Sequence, residues 1–233
     1  MRKRLCVIVP AYNEAKVLKS VVKHAREVFK KSSYDIDIVV VNDGSKDTTS
    51  IEARKGGAFV IDHVINSGAG SATATGLSYA MQSRYDAAAT MDADGQHAPE
   101  DVIKGFKKLF SQGDDLLIGS RLIDSSGMSR VKVIGNWGLS FITYLIFGIK
   151  STDSQSGLRI YSRKALEKLR WTTSGYEFCS EMLWRAHQLG FIIDEFPIKA
   201  IYTDYSKGKG QSNWNAINIV KALLKRRLVE MFE

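Results

Sequence analysis

Short apolar runs, each followed by a polar cluster and then an amphipathic stretch, recur along the first 120 residues. This alternation constrains the fold more than any other feature. The runs, rich in β-branched residues, lie at 5–9, 36–41, 58–61, 87–91 and 116–119. Between them, helical spacing of apolar residues covers 14–31, 47–56, 70–84 and 99–112. Strand-helix alternation at this pitch predicts βαβ units: an α/β fold with a mainly parallel central sheet and helices on both faces. A chain of 233 residues suffices for one sizeable domain and is short for two. Sheets of this kind bind ligands beyond the carboxyl ends of their strands, so chemistry is to be sought in the clusters that follow each run.

Those clusters are Pro10-Ala11-Tyr12-Asn13-Glu14, then Asn42-Asp43-Gly44-Ser45, then Asp92-Ala93-Asp94-Gly95-Gln96-His97, and finally Gly119-Ser120-Arg121. Asp92 and Asp94, one residue apart just beyond a strand, can converge on a hard divalent cation. Mg²⁺ and Mn²⁺ take oxygen ligands and are commonly shared with substrate phosphates. Such a cation neutralises charge on a departing diphosphate. Asp43 can accept hydrogen bonds from a base or ribose, or it can form an Asx-turn or cap ahead of the next helix. His97 reads as a turn-forming group before a metal ligand. Gly68, Gly70 and Gly76 resemble a dinucleotide loop, but they follow the third strand, and no GxGxxG opens the chain after the first. They are expected to let a helix start close to the sheet or to a sugar.

The second half differs in charge and hydropathy. Residues 1–120 hold 16 Lys+Arg against 15 Asp+Glu, and residues 121–233 hold 17 against 10. A basic second half suits phosphates, nucleic acid or an acidic membrane face, or is simply solvated. The segment 133–149 has no charge and three glycines. It falls short of a membrane span and reads either as a buried core helix or as an interfacial one. Trp137, Phe141, Tyr144, Leu145 and Phe147 are expected on its apolar face. Residues 213–233 place Trp214, Ile217, Val220, Leu224 and Leu228 at helical spacing, with Lys221, Lys225, Arg226 and Arg227 mainly elsewhere, which predicts a basic amphipathic helix after a 1–212 catalytic domain. The two cysteines, Cys6 and Cys179, match no metal spacing; Cys6 reads as a buried, inert thiol in a reducing, cytosolic setting.

Taken in order, VIVPAYNE, VVVNDGSKDTT, MDADGQH, GSR and DSQSGLR resemble the family-2 glycosyltransferases, in particular the branch of dolichyl-phosphate mannose synthases and bacterial polyprenyl-phosphate glycosyltransferases. The resemblance runs from residue 5 to about 200. It implies an inverting hexosyltransferase with a single nucleotide-binding domain of glycosyltransferase A type. By motif, it implies that Pro10, Tyr12, Glu14, Asp43, Asp92 and Ala93 hold the nucleotide of a GDP- or UDP-linked sugar. Asp92, Asp94 and Gln96 would surround Mg²⁺ or Mn²⁺ and the diphosphate. Arg121 would face a donor or acceptor phosphate, Arg130 and Lys132 would grip a lipid phosphate, and Asp153 would lie close to the reacting sugar. Asp94, Asp153 and Arg121 are thus the catalytic candidates.

The chain departs from the family pattern at Ala69, where a lysine is common, and at 204–212, where Lys207 and Lys209 stand in a Gly-rich basic loop expected over the diphosphate. The C-terminal membrane helices of many relatives have no counterpart, so contact with the cytoplasmic face of the membrane is expected to be peripheral. Rival readings are a relative that glycosylates a soluble hydroxyl, such as a growing polysaccharide, with Asp153 as base, and a non-catalytic nucleotide- or nucleic-acid-binding module. The last leaves the Asp-x-Asp and DSQSGLR elements unexplained, and no nucleic-acid motif is present.

Overall fold

The computed structural model describes residues 2–126, 128–202 and 205. Lys207, Lys209 and the expected helix 213–233 lie outside the described residues. The element order is β1 (Arg4–Ala11), α1 (Leu18–Phe29), β2 (Asp35–Asn42), α2 (Thr49–Gly56), β3 (Phe59–Asp62), α3 (Ala69–Gln82), β4 (Ala87–Thr90), α4 (Pro99–Gln112), β5 (Leu116–Ser120), α5 (Arg130–Phe147), β6 (Arg159–Ser162), α6 (Arg163–Lys168), α7 (Phe178–Gln188) and β7 (Ile193–Pro197). The seven strands form one sheet in the order β3-β2-β1-β4-β6-β5-β7. All neighbours are parallel except at β6, which runs antiparallel to both β4 and β5. All five expected strands and four helices are present, with ends shifted by a few residues.

Alternation along β1 divides the core. Leu5, Val7 and Val9 meet Leu18, Val22 and Phe29 of α1 and Val102 and Phe106 of α4 on one face. Cys6 and Ile8 meet α3, α5, α6 and α7 on the other. Both faces are therefore covered, as continuous apolar strands demand. Cys6 is fully buried, and burial with the nearby Asp37 charge pushes its thiol pKa well up, which makes it unreactive at neutral pH. A Cβ on Gly76 would lie 2.3 Å from Ile8 Cγ2; only glycine lets α3 pack this close to β1.

The segment 133–149 forms a helix with a buried side and an exposed apolar side. Leu139, Ser140, Thr143 and Phe147 of α5 are buried. Val131, Ile134, Trp137, Phe141, Tyr144 and Leu145 are exposed, with Trp137 stacked on Phe141. Phe147 departs from expectation: it leaves the outer face and packs against Trp184 in the core. No helix among the described residues is long and apolar enough to cross a membrane.

Candidate active site

The loops after β1 and β2 are stitched together. Asn13, at φ 55°, donates its N–H to Ser45 Oγ at 2.9 Å and accepts from Lys46 N at 2.9 Å. Glu14 N donates to Thr49 Oγ1 at 2.8 Å. Asn42 and Asp47 make the local turns, accepting from Ser45 N and Thr49 N. Asp43 therefore caps nothing nearby. Its carboxylate is buried and reaches 24 and 25 residues on to accept from Ser67 N at 2.9 Å and Gly68 N at 2.8 Å, with His63 Nδ1 at 2.8 Å. It anchors the loop that starts α3. Pro10 and Glu14 are partly exposed and Tyr12 is exposed on the same edge.

After β4, the Asp-x-Asp turn is held by its neighbours. Gln96 donates to Asp94 from both its backbone N–H and its side-chain amide. Asp92 N donates to His97 Nδ1 at 3.2 Å, so the His97 proton sits on Nε2, which faces Asp92 Oδ2 at 3.6 Å. His97 is buried and supports the turn. Burial, and then the charge of Asp92, raise the Asp94 pKa above the usual carboxylate range. Two carboxylates pressed together in this way suit a divalent cation, which relieves their repulsion. Among the described residues no group of three or more His, Cys, Asp or Glu converges, so Asp92 and Asp94 suit a cation shared with substrate oxygens.

The DSQSGLR segment closes against this turn. A Cβ on Gly157 would lie 2.2 Å from Asp92 Oδ1, and Thr90 Oγ1 donates to Gly157 O at 2.7 Å. Asp153 is fully buried. Its two oxygens accept from Arg121 Nε at 2.7 Å and Nη2 at 2.8 Å, a bidentate pair, with Arg121 N at 3.1 Å. Burial works against the Arg121 charge, but the hydrogen bond and charge of Asp153 outweigh it and hold its pKa above the usual guanidinium range. Arg130 and Lys132 stand in the first turn of α5, where no acid offsets them.

Four contributors escaped the sequence reading. Arg159, buried, donates to the carbonyls of Ser154 at 2.7 Å, Ser156 at 3.0 Å and Cys179 at 3.1 Å and so pins the DSQSG loop; its place in the motif was the available signal. Glu181 is fully buried and accepts from Thr172 N at 3.1 Å and Thr173 N at 2.9 Å. Burial alone would raise its pKa, yet hydrogen bonds from Thr173 and Thr172 lower it. The loop it holds accepts from Gly70 N through Ser174 O at 2.7 Å. Tyr202 and Tyr205 belong to a segment that crosses the edge: Ile201 N donates to Gln96 O at 3.1 Å and Tyr205 OH to Glu14 Oε2 at 2.8 Å. Nothing local marks these tyrosines.

The family model described as glycosyl transferase family 2 matches residues 6–170, which includes every strand-end cluster described above. The chain belongs to glycosyl transferase family 2. The UDP-N-acetylglucosamine–dolichyl-phosphate N-acetylglucosaminyltransferase of Methanococcus voltae is 37% identical over 253 residues, covering 99% of each chain. The polyprenol monophosphomannose synthase of Mycolicibacterium smegmatis is 30% identical, covering 95% of this chain and 85% of its own. Among solved structures, glucosyl-3-phosphoglycerate synthase from Mycobacterium tuberculosis, in complex with Mn²⁺, UDP and glucosyl-3-phosphoglycerate, matches with a TM-score of 0.73 at 21% identity, over 97% of this chain and 80% of that one. At that identity the likeness establishes the fold.

Proposed function

We propose that this family-2 glycosyltransferase moves a hexose, with inversion, from a nucleoside diphosphate to a polyprenyl phosphate held at a membrane surface. The observation that carries the acceptor reading is α5: one helix presents Arg130 and Lys132 in its first turn and an exposed apolar face beyond them. A lipid phosphate has the same two parts. A face of this kind is costly in water, and lipid is its natural cover. The two relatives named for lipid-phosphate acceptors support the same reading, and the first of them favours a UDP-linked donor.

Asp92, Asp94 and Gln96 would hold Mg²⁺ or Mn²⁺ with the diphosphate. The cation supplies Lewis-acid neutralisation of the leaving group. Pro10, Tyr12, Glu14 and Ala93 border the nucleotide, and Asp43 acts by fixing the Ser67–Gly68 backbone beside it. An acceptor phosphate oxygen attacks the anomeric carbon as the bond to the diphosphate oxygen breaks and the nucleoside diphosphate leaves with the electron pair. A phosphate is already anionic near neutrality, so the attack needs no strong base; positioning and charge stabilisation supply the acceleration. That fits Asp153, whose carboxylate oxygens are engaged by Arg121. It orients Arg121 toward the phosphates, and the hydroxyl-acceptor alternative would ask it to be free as a base.

Turnover of UDP- and GDP-linked hexoses with and without polyprenyl phosphate, in the presence of Mn²⁺, tests the reading. Equal turnover onto a soluble hydroxyl sugar would sink it. The protein should also co-sediment with anionic vesicles at low salt and release at high salt; failure to bind at low salt would remove the membrane part of the proposal.

A further inference from the structure

Lys132 stands where a cation is poorly placed. It lies in the first turn of α5 beside Arg130, at the positive end of the helix dipole, and that turn contains no acid. Its ammonium lies over the ring of Tyr202, 4.1 Å from Nζ to the centroid, inside the range of a cation–π contact. Tyr202 is half-buried. Burial raises its hydroxyl pKa first, Arg121 opposes the shift and Asp153 adds to it, so the ring is neutral at physiological pH and attracts Lys132 through its face.

The backbone that leads into Tyr202 is tethered twice. Ile198 N donates to Ser120 O at 3.0 Å, and Ile201 N to Gln96 O at 3.1 Å. Tyr205 OH reaches Glu14 Oε2. The chain just before Tyr202 is therefore held to the metal-motif turn and to the end of β5, while Lys132 belongs to a different element. Tyr202 also lies close enough to Arg121 for each to influence the other's proton affinity.

We propose that Tyr202 is a positioning residue for the acceptor phosphate: its ring holds the Lys132 ammonium at a set distance from Arg121, and so sets the separation of the attacking phosphate from the leaving diphosphate. This rests on the reading of Lys132 as an acceptor-phosphate contact. A partly exposed cation–π contact contributes about 0.5–2 kcal/mol, roughly a twofold to thirtyfold effect.

A double-mutant cycle on acceptor KM tests it, with nucleotide affinity by calorimetry and thermal stability as controls. Tyr202→Leu keeps apolar bulk without a π face and should raise acceptor KM within that range, leaving nucleotide affinity unchanged. Tyr202→Phe keeps the face and should stay within about twofold of the parent protein. On a Lys132→Ala background, Tyr202→Leu should have no further effect on acceptor KM. If Lys132→Ala raises acceptor KM but Tyr202→Leu multiplies it by the same factor in both backgrounds, the coupling does not exist and the inference fails while the acceptor reading stands. If Lys132→Ala leaves acceptor KM unchanged, the acceptor reading of Lys132 falls and takes the inference with it. A Tyr202→Leu protein that loses nucleotide affinity and stability in step with acceptor use would show a merely structural ring and also overturn the proposal.

Discussion

At the carboxyl end of the sheet, Asp92 and Asp94 stand one residue apart and the charge of Asp92 raises the Asp94 pKa, and Asp43 and Asp153 are buried against partners distant in sequence. At the amino end, several acids act as latches between elements. Asp86 accepts from Arg4 N at 2.7 Å, Asp37 from Tyr85 OH at 2.7 Å, and Asp115 from Lys164 Nζ at 2.7 Å. The Lys108 ammonium, 2.6 Å from Asp194, holds that carboxyl below the usual range. Asp114 apart, the amino-end acids named here are each met by a donor or a cation, whereas at the carboxyl end the charge of Asp92 raises the proton affinity of Asp94. That difference teaches where a charged ligand is wanted, because unrelieved repulsion is an electrostatic cost that a bound cation removes. Substitutions at the carboxyl end should therefore cost activity more than stability, and those at the amino end the reverse.

The strongest test is Asp94→Ala. It should lower transfer by about 10³-fold or more, the scale of a lost metal contribution of several kcal/mol, with little change in thermal unfolding because Asp94 follows the strand rather than packing within it. Full turnover in excess EDTA would break the comparison at its centre. Gly157→Ala comes next. Its Cβ would require Asp92 to move, since they would be 2.2 Å apart, and a displacement on the order of 1 Å at a reacting site costs about 10²-fold. Initial rates with titrated Mn²⁺ should show weaker metal use; an unaffected rate would mean that the Asp92 position is immaterial.

Arg130→Ala removes a charge-assisted contact of about 1.5–3 kcal/mol, so acceptor use should weaken by roughly ten- to over a hundred-fold with nucleotide binding unchanged. Asp43→Ala marks the limit of the contrast. It should weaken nucleotide binding while sparing the acceptor, but it also strips the Ser67 and Gly68 N–H groups of their acceptor, so stability should fall by about 1–3 kcal/mol. Calorimetry with nucleotide and rates at varied polyprenyl phosphate separate the two. If Arg130→Ala weakened the nucleotide as much as Asp43→Ala does, a separate lipid-phosphate site at Arg130 would be ruled out.

The smallest effect is expected at the amino end, at Asp114. Its Oδ2 is buried without a hydrogen-bond partner among the described residues. Burial and the Asp194 and Asp115 charges raise its pKa, against the opposing pull of Lys108. A carboxyl whose folded pKa is raised favours the folded state below its unfolded pKa and loses that advantage as pH rises through the folded value. Asp114→Asn should therefore raise Tm at neutral pH by roughly 2–4 °C, about 1 kcal/mol for a chain of this size, with no change in transfer rate. The gain should vanish in acid. A Tm difference that instead grew as pH fell would reverse the assigned sign.

Much of the fold was legible because its signals are local. Continuous apolar runs, helical spacing and the polar clusters that end each strand are written in adjacent residues, and parallel strands bring those clusters to one edge without further information. The ordered motifs placed Asp92, Asp94, Arg121 and Asp153 on that edge as well. What the sequence could not settle is what each group touches. Asp43 read as a nucleotide contact or a local cap, and its carboxylate reaches the Ser67 and Gly68 N–H groups instead of a nearby one. Asp153 read as an acid near the reacting sugar, and it is the bidentate partner of Arg121. The segment 133–149 looked like core or interface, and its one helix has a side for each.

By itself, then, the sequence determined the α/β class, the first five strands and four helices along the chain, the edge on which the polar clusters gather and the family. Tertiary structure alone decided that β6 enters antiparallel between β4 and β5, that Gly157 meets Asp92, and that Tyr202 lies against Lys132. The physical reason is range. Backbone periodicity is fixed by neighbours a few residues apart, whereas these contacts join groups 65 and 70 positions apart and exist only once separate elements have packed.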